Sequence, residues 1–285
     1  MNTDFPAPSR LIVTGARGLL GREILRLAPT ATGLGRAELD ITDRVAVDAA
    51  LTPGAVLINC AAYTAVDAAE TDREAAFAAN ATGPAVLAAA CTAARARLIH
   101  VSTDYVFPGD ADTPYEPGDP TGPATVYGQS KLAGEQAVRE LCPSAQIVRT
   151  AWVYSGVAGD FVATMRRLEA ERDTVTVVAD QLGSPTSAAD LAAALLELTT
   201  RPDAPTLLHV TNSGTASWFD LATAVFGELG ADPARVLPCD SSAFPRPAPR
   251  PAYSVLSPAA WDEAGLTPLR SWQSALTDAL RRVAD

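Results

Sequence analysis

Arg10-Leu11-Ile12-Val13-Thr14-Gly15-Ala16-Arg17-Gly18-Leu19-Leu20-Gly21 is the stretch on which the fold turns. An apolar run that stops at Thr14-Gly15 reads as a buried strand, and glycines 15, 18 and 21 lead into the helical pattern Arg22 to Leu27. Glycines between a strand and a helix let a backbone approach a pyrophosphate at the helix N-terminus, where unpaired N–H groups favour negative charge. The spacing is GxxGxxG, directly after the first strand, and it points to nucleotide binding; a plain strand-to-helix turn is the other reading.

Outward from this stretch, strands and helices alternate. Thr32 to Leu34, Leu39 to Asp43, a helix from Arg44, a strand Ala55 to Cys60, a helix Ala75 to Ala96 and a strand Leu98 to Ser102 follow in order. That rhythm indicates an α/β protein with a Rossmann-like, doubly wound parallel sheet. Ala61 and Ala62 follow the strand Val56 to Cys60, and small side chains at a strand's carboxyl end leave room for a ligand there; tight helix packing would explain them equally.

The end of the second strand bears on which cofactor fits. A basic residue there accommodates a 2′-phosphate and an acidic one binds a ribose hydroxyl. Arg36, with Arg17 in the glycine loop, forms a pair of guanidiniums suited to a phosphate, so NADPH is expected, with NADH left open. Asp40, a few residues on, competes as an adenine or ribose contact.

The strand Leu98 to Ser102 runs into Thr103-Asp104-Tyr105-Val106-Phe107. Hydroxyls of Ser102 or Thr103 at that strand end are placed to hydrogen-bond a carbonyl oxygen, or serve as turn residues. His100, inside the strand, reads as a core residue. A Pro/Gly-rich loop, Pro108 to Ala124, then precedes Val126-Tyr127-Gly128-Gln129-Ser130-Lys131. Residues at i and i+4 share a helix face, so Tyr127 and Lys131 meet at one site. The ammonium is expected to lower the phenol's pKa and make it a proton donor or acceptor near neutrality.

With 285 residues, 48% of them hydrophobic, the chain suffices for one large or two intimately joined domains. A net charge of −11 argues against nucleic-acid and anionic-membrane partners. Cys60, Cys91, Cys142 and Cys239 are scattered, with two histidines in all, which speaks for free thiols in a reducing cytoplasm and against zinc. Met1 to Arg10 lacks an apolar signal-peptide core and no apolar run reaches a membrane span, so a soluble, cytoplasmic protein is expected.

The motifs Thr14-Gly15-x-x-Gly18-x-x-Gly21, Ser102-Thr103-Asp104-Tyr105-Val106-Phe107 and Tyr127-Gly128-x-Ser130-Lys131 occur in the order and spacing of the extended short-chain dehydrogenase/reductases. Within them the chain resembles the dTDP-4-dehydrorhamnose reductase family. Asn59 to Asp67, Leu132 to Glu135, Arg149 to Tyr154, Asp180 to Thr186 and Arg250-Pro251 carry the likeness further.

The resemblance implies reduction of the C4 ketone of a dTDP-linked 4-keto-6-deoxyhexose, dTDP-4-dehydro-β-L-rhamnose giving dTDP-L-rhamnose. Thr103, Tyr127 and Lys131 would be catalytic. Gly15, Arg17, Gly18, Leu19, Leu20, Gly21, Arg36, Asp40, Ile41, Ala61, Ala62 and Tyr63, with Tyr127 and Lys131, would hold the cofactor. Thr103, Asp104, Trp152 and Arg250 would bind substrate, Arg250 and Arg246 at its diphosphate, with Ser184 and Thr186 adding neutral hydrogen bonds; Trp152 reads equally as a core aromatic. Some relatives bind magnesium through carboxylates at a dimer contact; Ala188-Ala189-Asp190 stands at the corresponding place here, so no metal is expected and the chain is taken as a monomer or homodimer. A reductase for another deoxysugar, or a non-catalytic NADP-binding subunit, are the alternatives. The resemblance also implies that residues 1–150 form the dinucleotide-binding domain, with roughly 187–212 returning to it. A smaller, discontinuous substrate domain then takes most of 151–285, and the proline-crowded Pro238 to Pro258 forms an ordered loop over the site.

Overall fold

A computed structural model describes residues 10–157 and 159–284. Its centre is a six-stranded, all-parallel sheet in the order β10-β5-β4-β3-β1-β2. The strands are β1 (Leu11–Thr14), β2 (Thr32–Leu34), β3 (Val56–Asn59), β4 (Arg97–Thr103), β5 (Gln146–Thr150) and, after the short pairs described below, β10 (Leu207–His209). The central strands are largely apolar because both faces are covered, with His100 and Arg149 as buried exceptions. Leu11, Val13, Val56, Ile58, Ile99 and Val148 face one layer of helices and Ile12, Leu57, Leu98 and Ile147 the other, an alternation that follows the two-residue period of a strand.

The second face packs on α2 (Arg44–Ala50), α5 (Gly83–Ala94) and α6 (Val126–Leu141), the first on α1 (Leu19–Leu27), α8 (Ala188–Thr199) and α10 (Ala259–Glu263). Between β3 and α5 lie α3 (Val66–Ala69), α4 (Arg73–Phe77) and a π-helical turn, Ala78–Thr82. Together Arg73–Ala94 make a 22-residue helical run, which by length and composition alone would suffice to cross a membrane. It is a core helix instead, packing Leu87, Ala88 and Cys91 on the sheet. The expectation that nothing of that length occurs fails because the π turn joins two helices end to end.

A second cluster gathers α7 (Phe161–Glu171), α9 (Trp218–Glu228) and α11 (Trp272–Ala284) around Val162, Phe226 and Leu276. Short strands accompany it: β6 (Val153–Tyr154) pairs with β9 (Thr186–Ser187), β8 (Leu182–Gly183) with β11 (Ala216–Ser217), and β7 (Val175–Val178) with β12 (Val236–Cys239).

Two local expectations differ. Leu39 to Asp43 is a turn whose Leu39 and Ile41 plug the core, with Asp40 accepting from the Thr42 amide and hydroxyl. Pro238 to Pro258 begins inside β12 and continues as a strap bound through backbone hydrogen bonds to Gly109, Tyr115 and Leu182. The N-terminal reading of Met1 to Arg10 falls almost wholly outside the described residues.

Behind α6, Glu135 and Arg149 form a fully buried bidentate pair, Nε to Oε1 at 2.8 Å and Nη2 to Oε2 at 2.7 Å. Ser102 donates to the same Glu135 Oε1 at 2.6 Å, and Arg149 also lies over the Phe107 ring. Removing one partner leaves an uncompensated buried charge. Arg149→Ala is therefore expected to lower the unfolding free energy by about 3–5 kcal/mol in denaturant titrations.

Candidate active site

A cleft of about 930 Å³ runs along the carboxyl ends of β1, β3 and β4 to the second cluster. Gly15, at φ +67°, opens it: a Cβ there would lie 2.5 Å from the Ala61 amide nitrogen, so the loop after β1 touches the loop after β3 backbone to backbone. Gly21 has no more room, facing the Gly15 carbonyl. Gly18 is the N-cap of α1 and offers no side chain, so the first amides of α1 beside Leu19 and Leu20 have no capping group. That is a receptive place for an anion.

Tyr127 and Lys131 stand on the first turns of α6, which starts at Thr125 through a hydroxyl cap on the Gly128 amide at 3.0 Å. Gly128 lies against the Tyr105 carbonyl and Gly134 against the Asn80 carbonyl of the π turn, and neither could carry a Cβ. Asn80 in turn brackets Tyr63 by two hydrogen bonds, 2.8 and 3.0 Å, and donates to Ser130 at 3.0 Å. The π turn thus holds α6 and the loop after β3 in one register, a use to which such turns are often put.

The electrostatics depart from expectation. Burial pushes Tyr127 up to about 12, against the pull of a Thr103 hydrogen bond. Lys131 does not lower it, because its Nζ donates to the Val101 carbonyl at 2.7 Å. Burial brings Lys131 down to about 8, with Glu135 and Cys60 opposing. Cys60, beside it, is pushed up to about 12 by burial and is an inert thiol. His100 is a core residue as expected, its Nδ1 bonded to Asn59 at 2.9 Å and its pKa well below normal through burial.

At the far end Trp152 stacks face to face on Trp218, with centroids 3.6 Å apart and planes 6° off parallel, and Phe161 tilts against Trp218. Gly183 makes room for the Trp152 ring edge. A tryptophan held at positive φ, here +47° at Trp152, costs on the order of 1 kcal/mol, a cost that such packing offsets.

Residues 9–284 match the family model for the RmlD substrate binding domain. The chain belongs to that family. It is 54% identical over 280 residues to a dTDP-4-dehydrorhamnose reductase of Mycolicibacterium smegmatis, covering 96% of this chain and 86% of the relative. Among solved structures, a dTDP-4-dehydrorhamnose reductase of Clostridium acetobutylicum superposes with a TM-score of 0.92 at 38% identity, over 97% of this chain and 100% of that one. Its counterpart from Bacillus anthracis, in complex with NADP, gives 0.91 at 37% identity over 97% and 100%. The Rossmann-like fold is that of these family members.

The cleft brings together Gly15, Arg17, Gly18, Leu19, Leu20, Gly21, Arg36, Asp40, Ile41, Ala61, Ala62 and Tyr63 with Thr103, Asp104, Tyr127, Lys131 and Trp152. Arg17 is bound to Glu38, which also accepts from the Gly35 amide. Both partners are exposed, and an exposed pair of this kind contributes little to stability. Arg250 is outside the lining. Asp67 holds it at 2.8 Å, with Arg246 at 3.8 Å from the same carboxylate, because this part of the strap docks on α3. Ser184 and Thr186 are buried; Thr186 donates to the Ser184 carbonyl, and the Ser184 hydroxyl accepts from the Leu256 amide of the strap at 3.2 Å.

Sequence reasoning missed Trp218, Phe161 and Glu38. Trp218 follows the capping-box residue Ser217 at the start of a readable helix, but nothing local says that it meets Trp152. Among the described residues no group of three or more His, Cys, Asp and Glu is placed to hold a metal. Gly183→Ala, whose added methyl would overlap the Trp152 indole, is expected to abolish the exciton couplet of the Trp152–Trp218 stack in circular dichroism without unfolding the sheet.

Proposed function

We propose that this chain reduces the C4 ketone of dTDP-4-dehydro-β-L-rhamnose to dTDP-L-rhamnose with NADPH, as its relatives' names indicate for them. The observation that carries the reading is the meeting, in one cleft, of an uncapped helix N-terminus on a glycine cradle with Thr103, Tyr127 and Lys131. The cradle fits a dinucleotide, since Gly15 and Gly21 let the loop after β1 pack backbone to backbone beside the uncapped N-terminus of α1. NADPH when bound supplies the hydride that reduces the ketone.

The residues supply everything else. Tyr127, a neutral phenol throughout the physiological range, keeps its proton until charge develops on the ketone oxygen and then donates it. Thr103 hydrogen-bonds that same oxygen, and aiming a fixed dipole at developing charge in a dry site is the strongest help available. Lys131, charged below about pH 8, would bind ribose hydroxyls. Arg36 and, once drawn from Glu38, Arg17 would take the 2′-phosphate, with Asp40 and Ile41 near the adenosine. Asp104 and Trp152 would contact the hexose. Arg250, released from Asp67, would reach a diphosphate. The binding of dinucleotide would fall to residues 1–150 with roughly 187–212, that of sugar to most of 151–285. Four free thiols suit a cytoplasmic setting.

Purified protein is expected to oxidise NADPH only when the keto sugar is present, with dTDP-L-rhamnose identified by NMR; a different C4 epimer would redirect the assignment to another deoxysugar. Tyr127→Phe should lower kcat by about 10²–10⁴-fold while NADPH affinity holds. Activity should also fall as pH rises through about 8, where Lys131 loses its charge. Lys131→Arg, which cannot lose it, should carry that limb upward.

A further inference from the structure

Thr103 has one hydroxyl proton, for which the Asp104 carboxyl and the Tyr127 phenol compete. Its Oγ1 donates to Asp104 Oδ1 at 2.9 Å and accepts from the Tyr105 amide at 3.3 Å. Under the function proposed above, the same hydroxyl must donate to the ketone oxygen. It cannot do both while Asp104 is ionised, because a carboxylate only accepts.

The surroundings of Asp104 favour the other protonation state. The residue is 2% exposed, lines the cleft, and its Oδ2 is buried with no hydrogen-bond partner among the described residues. The groups that face it are the Thr103 hydroxyl, the Ser254 hydroxyl from the strap, the Tyr105 amide and the Tyr127 phenol from α6, and none is a cation. Arg250 and Asp67 act on Tyr105 beyond, and Lys131 is turned to Val101. An ionised carboxylate with an unpaired buried oxygen and no cation is costly.

We propose that Asp104 is a positioning residue working as the neutral acid: its carboxyl proton is donated to Thr103 Oγ1, which turns the Thr103 proton toward the ketone oxygen. The inference rests on the reductase reading and deepens it. One hydrogen bond reverses direction and another forms; no covalent bond breaks, and the proton added to the ketone still comes from Tyr127. Burial has pushed Asp104 up to about 6, the Ser254 and Thr103 hydroxyls pulling the other way. A substrate that closes the cleft removes more water and adds to the burial effect.

Asparagine separates the two states, since its amide donates at every pH and never ionises. In wild-type enzyme, kcat/KM is expected to fall about tenfold per pH unit above the Asp104 midpoint. In Asp104→Asn that decline should vanish, leaving only the limb from Lys131. Asp104→Ala, with no donor, should be at least about tenfold slower than Asp104→Asn near neutrality, with NADPH affinity equal in both. An Asn variant no faster than the Ala variant, or one that keeps the wild-type slope, overturns the proposal. ¹³C NMR titration of aspartate-labelled protein needs no turnover: one carboxyl signal, absent from Asp104→Asn, should titrate near pH 6. A midpoint in the ordinary carboxylate range would also overturn it. Wild-type protein inert toward the keto sugar would defeat the reductase reading, and the titration would still decide the state of Asp104.

Discussion

Helix α6 rests on other chain segments backbone to backbone, and the cleft depends on that seating. At Gly128 it meets the Tyr105 carbonyl and at Gly134 the Asn80 carbonyl, with the Glu135–Arg149 pair locking the turn between helix and sheet. Two such contacts leave the helix little freedom to slide or roll. Tyr127 and Lys131 are thereby held at fixed depth beside the ends of β3 and β4, which geometry-dependent proton transfer requires. Side-chain packing alone would not give that rigidity, since the helix's own surface is moderately apolar and much of it faces the π turn.

Exclusion of water then sets the chemistry. One cause moves three groups in different directions: Tyr127 up to about 12, Lys131 down to about 8 and Asp104 up to about 6. Each shift disfavours the charged form of its group. Charged forms are therefore weakened where the ketone would sit, although Lys131 keeps its charge below about pH 8. Charge developing there meets oriented hydroxyls in a medium that screens weakly.

Much of this was legible in the chain. The parallel sheet followed from alternating apolar runs and helices, and the strand and helix starts at Leu11, Thr32 and Arg44 were read to within a residue. The cofactor-side residues cluster as their motifs imply, because glycine spacing and strand ends are local signals. What stayed hidden depends on partners distant in sequence. Glu38 capturing Arg17, Asp67 capturing Arg250 and Trp218 stacking on Trp152 are pairings between segments that only the tertiary fold joins. The Tyr127 expectation failed for the same reason, since helix spacing brings Lys131 near the phenol while the Val101 carbonyl claims its ammonium.

The order of strands in the sheet differs from their order in the chain. β10, residues 207–209, closes the edge beside β5, and α8 covers that end of the sheet, yet both are made after β6, α7, β7, β8 and β9. While the chain is being synthesised, β5 waits as an open, apolar edge for more than fifty residues. Open edges of this kind invite pairing with other chains. Completion of the sheet must await the return of the chain, so assembly is governed by contacts of long sequence separation, a topology that folds slowly and makes early occupancy by a chaperone advantageous.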